Sequence, residues 1–288
     1  MLSGATSVAG IVGGPRQVAR SLSPAIHNAG YEALGLDWVY VGFPVDAMGA
    51  QDAVATLRGL GNAGVAGFNV TMPHKLAAAR AVDHLVGQAA VVGAVNAVEV
   101  SGSELVGWNT DGEGLASFLT REAGVEIEGR SLLVIGAGGS ARSVVSGLVL
   151  AGADRVTVAA RDAARAAALQ PLAGEASFGV QVLGFEAATA VAAAVAAADI
   201  IVNATPVGQE GEAPLIPVEA IHPGAVVVDL VYHPLETPLV LAASRAGATA
   251  FGGLGMLVHQ AALAFEIFTG RSAPLPAMWA GARRALEG

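Results

Sequence analysis

Short runs of consecutive apolar residues alternate along most of the chain with longer alanine-rich stretches of helical length. That alternation predicts strands covered on both faces by helices, a parallel α/β architecture. Residues 8–14 (VAGIVGG) predict a first strand. Residues 24–34 predict a helix capped by Ser23 and opened by Pro24, and residues 38–45 (WVYVGFPV) the next strand. A helix over 49–60, a strand over 65–70 and a helix from about Pro73 follow. Residues 94–100 and 104–110, joined by a Ser-Gly turn, predict a hairpin.

A short helix over 112–123 leads into a new strand–turn–helix–strand pattern at 131–161, with further strands over 199–205 and 225–232. The simple run at 187–198 (AATAVAAAVAAA) predicts a helix, because alanine is the best helix former. Helical spacing returns at 254–270 and again at 274–286, and no internal repeat interrupts the pattern.

Composition narrows the function classes. Of 288 residues, 53% are hydrophobic and 14% charged, which excludes a disordered chain. The formal net charge of -9 leaves no basic field for a phosphate backbone, so no nucleic-acid partner is expected. The most apolar stretches are broken by Arg142, Glu186 and Asp199, so no membrane segment is expected either. The first 17 residues lack the basic start and apolar core of a secretory signal. With no cysteine, disulfides and thiolate chemistry are excluded, and a cytoplasmic protein is expected. The six histidines show no metal-ligand spacing, which predicts no metal.

Two features carry chemistry. Lys75 is the one lysine among 15 basic residues. A chain that uses arginine for every other positive charge has kept an ammonium here, and an ammonium, unlike a guanidinium, can give up a proton. The second feature is Gly136-Ala137-Gly138-Gly139-Ser140-Ala141, which follows an apolar run and opens a helix. This is the dinucleotide fingerprint in its required context, with glycines where the turn is tight and where backbone must approach a pyrophosphate. NAD enzymes usually place an acidic residue at the end of the second strand. Here Ala159 and Ala160 precede Arg161, Asp162 and Arg165, and two guanidiniums suit a 2′-phosphate while Asp162 argues the other way.

Seven segments then occur in a familiar order: Ser21 to Pro24, Asn69 to Lys75, Ala94 to Asn96, Asn109 to Gly112, Gly136 to Arg142, Asn203 to Pro206, and Gly255 to Gln260. Together they resemble the shikimate dehydrogenase family from about residue 8 to 270. The resemblance implies an N-terminal α/β substrate domain (1–110, completed by the C-terminal helices of 253–288) and a Rossmann-type NAD(P)-binding domain (111–252), with the active site in the cleft. It implies NADP-dependent, reversible reduction of 3-dehydroshikimate to shikimate in aromatic amino-acid biosynthesis. By matching position, Lys75 and Asp111 form the catalytic pair. Ser21 and Ser23 bind the substrate carboxylate, while Thr71, Asn96, Tyr232 and Gln260 hold its hydroxyls. Gly136 to Ala141, Arg161, Arg165, Asn203, Thr205, Gly253 and Met256 serve the cofactor. His74 and His259, beside Lys75 and Gln260, are read as structural.

The chain departs from the family pattern in four places. The segment Pro15 to Arg20 is two residues longer than usual and carries Arg20 in place of histidine; Ala97 replaces threonine, Gln209 replaces methionine, and Ala160 and Asp162 replace asparagine and threonine. These leave open an NAD-dependent quinate/shikimate or aminoshikimate dehydrogenase, and, from a different class, a non-catalytic nucleotide-binding sensor. A monomer or homodimer acting on a small molecule is expected.

Overall fold

The computed structural model describes residues 3–46, 50–184 and 188–287; position 49, Glu186 and position 187, used in the expectations above, lie outside the described residues. The chain divides into two units, Met1–Gly114 with Leu257–Gly288, and Leu115–Met256. The divisions fall after Gly114 and Met256, against the expected 110 and 252. Among the described residues, no helix is long and apolar enough to cross a membrane.

The first unit runs β1 (Ser7–Gly13), α1 (Pro15–Ala19), α2 (Ser23–Ala33), β2 (Trp38–Pro44), α3 (Ala50–Asn62), β3 (Val65–Val70), α4 (Lys75–Ala81), β4 (His84–Leu85), α5 (Gln88–Val92), β5 (Ala97–Ser101) and β6 (Glu104–Trp108). The strands form one sheet in the order β2-β1-β3-β5-β6-β4. β1 is parallel to both its neighbours, whereas β5 is antiparallel to β3 and to β6, the partner in the expected hairpin. Its core gathers Leu57, Phe68, Val70, Val95, Val98 and Leu105 beneath α3 and α4.

Local chemistry moves two expected boundaries. α2 begins at Ser23 itself, and its N-cap, Leu22, makes no side-chain cap. The capping expected of Ser23 is therefore replaced by Ser21, whose Oγ accepts the Ser23 N–H at 3.2 Å. The helix expected near Pro73 starts at Lys75, because Thr71 to His74 close a turn in which the His74 N–H donates to the Thr71 carbonyl at 2.9 Å. The segment Pro15 to Arg20 before Ser21 holds α1, which the hydrophobic pattern does not announce. Gly42 makes room for it: a Cβ there would lie 2.5 Å from the Val18 side chain.

α6 (Asp111–Ser117), continued by a π-helical turn at Phe118–Glu122, leads to the second unit. There follow β7 (Ser131–Ile135), α7 (Gly139–Leu150), β8 (Arg155–Ala160), α8 (Ala163–Ala167), β9 (Ser177–Val182), α9 (Ala188–Ala197), β10 (Ile200–Asn203), β11 (Val226–Asp229), α10 (Pro238–Arg245) and β12 (Thr249–Phe251). The sheet order is β12-β11-β10-β7-β8-β9, and every pairing is parallel. This is the doubly wound Rossmann arrangement, with its switch point between β7 and β10, where ligands bind beyond the carboxyl ends of the strands. All five residues of β7 are buried, as a central parallel strand requires.

α11 (Leu254–Thr269) and α12 (Leu275–Glu287) finish the chain, and from Leu257 on it belongs to the first unit again. α12 touches α2 so closely that a Cβ on Gly281 would lie 2.5 Å from the Ala25 carbonyl oxygen. Phe265 and Phe268 close an aromatic cluster around His27, with Tyr31 and Tyr40 on its other sides.

Candidate active site

In the first unit the turn before α4 and the start of α6 bring Lys75 and Asp111 together. Lys75 Nζ donates to Asp111 Oδ2 at 2.5 Å, and the side chains are 14% and 5% exposed. Asp111 opens α6, yet its carboxylate does not cap the helix. Its other oxygen, Oδ1, accepts from Asn96 Nδ2 at 2.8 Å, while its own N–H donates to Asn109 Oδ1 at 3.2 Å. A carboxylate held at both oxygens has one orientation, and it aims the ammonium that it pairs.

Asn96 ties in two more segments. Its amide also donates to Thr110 Oγ1 at 2.9 Å and lies 3.2 Å from Gln260 Oε1, and its Oδ1 accepts the Thr110 N–H at 2.8 Å. Thr110 Oγ1 in turn donates to the Gln260 carbonyl at 3.0 Å. Lys75, Asn96, Asp111 and Gln260 thus form one hydrogen-bonded group drawn from four places in the sequence. Close approach of α11 to α6 is what permits it: a Cβ at Gly114 would lie 2.7 Å from the Gln260 backbone nitrogen.

The serines belong to a second chain of contacts. Ser23 is buried, and its hydroxyl bonds to that of Tyr40, which donates to Asn69 Oδ1 at 2.7 Å. Asn69 Nδ2 donates to the Asn96 carbonyl at 3.1 Å, so the chain ends on the residue that holds Asp111. Burial pushes the Tyr40 hydroxyl well above the usual phenol range, so it stays protonated as a donor. Ser21 and Thr71 are half-buried. His74 is buried and bonds through Nε2 to the Val45 carbonyl at 3.2 Å; His259 is also buried. Asn69 and Thr110 lie within two of the segments that carry the family resemblance, although no role is expected of them there; Tyr40 lies in none, and it reaches Ser23 and Asn69 across the sheet, which no local motif signals.

In the second unit the fingerprint turn lies at the switch point. Gly136 has φ +111°, open to glycine alone at little cost, and a Cβ there would come within 3.0 Å of the Thr205 methyl across the crevice. A Cβ on Gly138 would meet nothing within 4 Å, so the amino end of α7 is open for a phosphate to approach its backbone N–H groups. Beyond β8, Arg161 and Arg165 are exposed. Asp162 is the N-cap of α8, its Oδ1 accepting the N–H groups of Ala164 and Arg165 at 2.9 and 3.1 Å. One oxygen of the carboxylate that argues against a 2′-phosphate is therefore committed to the helix behind it. Glycine turn, open helix end and exposed cations together fit a phosphorylated dinucleotide.

Asn203 and Thr205 lie at the end of β10 and just past it. Asn203 Oδ1 accepts from both the N–H and the hydroxyl of Thr205, at 3.1 and 2.7 Å, and its Nδ2 donates to the Val207 carbonyl and to Asp229. Its side chain shapes the loop rather than reaching out of it. Gly253 is required by contact: a Cβ there would fall on the Leu230 carbonyl. Met256 is buried and Tyr232 half-buried, with burial raising the Tyr232 pKa.

A doubly wound sheet with a dinucleotide turn, carried on one chain with an α/β unit presenting a buried lysine–carboxylate pair, defines a two-domain nicotinamide-dependent oxidoreductase. The family models agree by residue. Residues 11–98 match the shikimate dehydrogenase substrate binding domain, 119–223 the shikimate / quinate 5-dehydrogenase family, and 253–281 the shikimate 5'-dehydrogenase C-terminal domain. The chain is 46% identical over 278 residues to a shikimate dehydrogenase (NADP(+)) of Citrifermentans bemidjiense, covering 95% of this chain and 93% of that one. It is similar to the shikimate 5-dehydrogenase of Thermus thermophilus, solved with NADP(H) and shikimate, at 34% identity and TM-score 0.86 over 97% of this chain and 100% of that one. It is also similar to a quinate dehydrogenase of Corynebacterium glutamicum solved with NAD, at 30% identity and TM-score 0.85 over 97% and 99%. The chain belongs to the shikimate dehydrogenase family.

Proposed function

We propose that this chain is a cytoplasmic enzyme that reversibly reduces 3-dehydroshikimate to shikimate with NADP, a step of aromatic amino-acid biosynthesis. The observation that carries the proposal is the Lys75–Asp111 pair, fixed by Asn96 and joined to Gln260. When bound, the cofactor supplies the hydride in one direction and accepts it in the other. The remaining work falls to side chains of this protein.

As the substrate carbonyl is reduced, negative charge grows on its oxygen, and Lys75 Nζ delivers a proton there; in shikimate oxidation the amine takes that proton back. Asp111 Oδ2 holds another Nζ proton and so sets the direction of the transferable one. Ser21 and Ser23 hydroxyls bind the carboxylate. Thr71, Asn96, Tyr232 and Gln260 hold the ring hydroxyls, which orients the reacting carbon. The backbone of Gly136 to Ala141 takes the pyrophosphate, with Thr205, Gly253 and Met256 around the nicotinamide half and Arg161 and Arg165 on the 2′-phosphate.

Asp162 bears on the rival assignment. An NAD enzyme acting on quinate would use an acidic residue at this point on the ribose hydroxyls, whereas Asp162 here spends one oxygen on two N–H groups of α8. The test is a spectrophotometric matrix of shikimate and quinate against NADP and NAD. Shikimate with NADP is expected to give the highest kcat/KM; equal or better turnover with NAD and quinate overturns the assignment.

A further inference from the structure

Asp229, the last residue of β11, is fully buried, and the roles proposed above do not use it. A carboxylate withdrawn from water, with no cation beside it among the described residues, is costly, so its surroundings must hold it by hydrogen bonds. They do so from β10, from the start of α10 and from the chain just beyond Asp229 itself. Asn203 Nδ2 donates to Oδ1 at 2.8 Å, the Val231 N–H to the same oxygen at 3.1 Å, and Thr237 Oγ1 to Oδ2 at 2.6 Å. Burial pushes this carboxyl group above its ordinary pKa and the three bonds pull it back.

The three donors are not equivalent in consequence. Asn203 uses its other face to hold both the N–H and the hydroxyl of Thr205, so Asp229 fixes the loop beyond β10 through it. Val231 is gripped at both ends: its N–H by Asp229 and its carbonyl by the Gly253 N–H at 3.0 Å. The next residue is Tyr232. Thr237 is the N-cap of α10 and anchors the far side. One carboxylate therefore adds side-chain ties to the backbone bond from the Leu230 N–H to the Asn203 carbonyl at 3.0 Å, and links the loop that carries Thr205 to the segment that carries Tyr232 and meets Gly253.

We infer that Asp229 is a positioning residue, which sets the cofactor-side loop at Asn203–Thr205 and the substrate-side segment at Val231–Tyr232 in register for hydride transfer. The inference rests on the function proposed above. Hydride transfer tolerates little displacement, and a shift of about 1 Å in a positioning element can cost about 10²-fold in rate.

Two variants test it. Asp229→Asn keeps the shape, and with its amide nitrogen turned to the Thr237 hydroxyl it still accepts from Asn203 and Val231; Asp229→Ala removes all three bonds. Hydrogen exchange without ligand is expected to show lost protection at 203–208 and 230–233 in the Ala variant and near wild-type protection in the Asn variant. With both substrates saturating, and enzyme counted by bound NADPH, kcat is expected to fall about tenfold or more for Ala and to stay within about threefold for Asn. Unchanged kcat per bound NADPH in the Ala variant overturns the proposal, because a purely structural role lowers only the folded fraction. An Asn variant as impaired as Ala also overturns it, since charge rather than bond geometry would then matter. If the Ala variant does not fold, Thr237→Val, which removes a hydroxyl tied to the 203–208 loop through Asp229, decides by the same two measurements, with unchanged exchange at 203–208 and unchanged kcat overturning the proposal. Wild type with no turnover of shikimate and NADP refutes the proposed function itself, a result distinct from all of these.

Discussion

His27 gives the most quantitative prediction. It is fully buried, neither ring nitrogen has a hydrogen-bond partner among the described residues, and its ring is stacked on Tyr40 with centroids 4.2 Å apart. Desolvation lowers its pKa from 6.5 to about 3. The unfolded chain thus binds a proton near pH 6.5 that the folded chain refuses until far lower pH, and stability falls as pH drops through that window. The slope starts at half its full value at pH 6.5, where the unfolded imidazole is half protonated, and approaches about 1.4 kcal/mol per pH unit below it, so from pH 6.5 to 4.5 this one residue costs about 2.3 kcal/mol. His27→Phe keeps a ring among the aromatic neighbours and removes the titration. The variant is expected to lose about 2.3 kcal/mol less than wild type across those two units, and at pH 7.5 to be within about 1 kcal/mol of it, as relief of two unpaired nitrogens offsets the larger ring. Urea unfolding followed by tryptophan fluorescence reads the right part of the molecule, because Trp38, Trp108 and Trp279 all lie in the unit that holds His27. Parallel pH dependences for variant and wild type would refute a buried neutral imidazole.

Further outcomes follow from the proposed site. Lys75→Met is expected to lower kcat about 10²-fold or more with little change in substrate KM, and Lys75→Arg to fail nearly as badly because the charge remains without a transferable proton; near-native kcat in the Arg variant reduces Lys75 to an electrostatic anchor. Ser21→Ala and Ser23→Ala are each expected to raise KM for shikimate several-fold at constant cofactor affinity, and Ser23→Ala alone to lower stability by about 1 kcal/mol through its bond to Tyr40. An unchanged KM would place the loop behind α1 outside the substrate site. Arg161→Ala is expected to cut the preference for NADP over NAD about tenfold, mainly through KM for NADP. Asp162→Asn keeps the α8 cap while removing a negative charge and is expected to raise that preference; a fall would mean that Asp162 itself meets the cofactor.

Much of this molecule is written locally. The Gly136–Ala141 turn needs only a strand before it and a helix after it, and both are signalled by residues within one βα unit. Lys75 stands out by residue choice in a chain that otherwise uses arginine. What escaped the pattern depends on distant partners, on very short elements, or on elements with a weak apolar signal: β9, partly exposed along its length, and the eight-residue α10 are not predicted by it either. α1, β4 and α5 span five, two and five residues, too few for a period to register. Ser23 reads as a helix cap, and only the approach of Tyr40 from β2 draws its hydroxyl elsewhere. Asp229 looks like an ordinary strand end until Asn203 and Thr237 are brought to it. Asp162 has a charge that suggests ribose binding, but one of its carboxylate oxygens caps the first turn of α8.

The discontinuous first unit has a consequence for the chain as it leaves the ribosome. Residues 115–256 form a contiguous unit and are all synthesised before Phe265, Phe268 and Gln260 emerge. The unit that begins first must therefore wait, with His27 and Tyr31 lacking their outer aromatic cover and Asn96 lacking its partner on α11. Domains generally fold as units during synthesis, so the dinucleotide-binding unit completes first although it is encoded second. Premature termination before residue 257 would leave a Rossmann unit able to fold beside an N-terminal segment with exposed aromatic surface, a species prone to aggregate and to be recognised by chaperones.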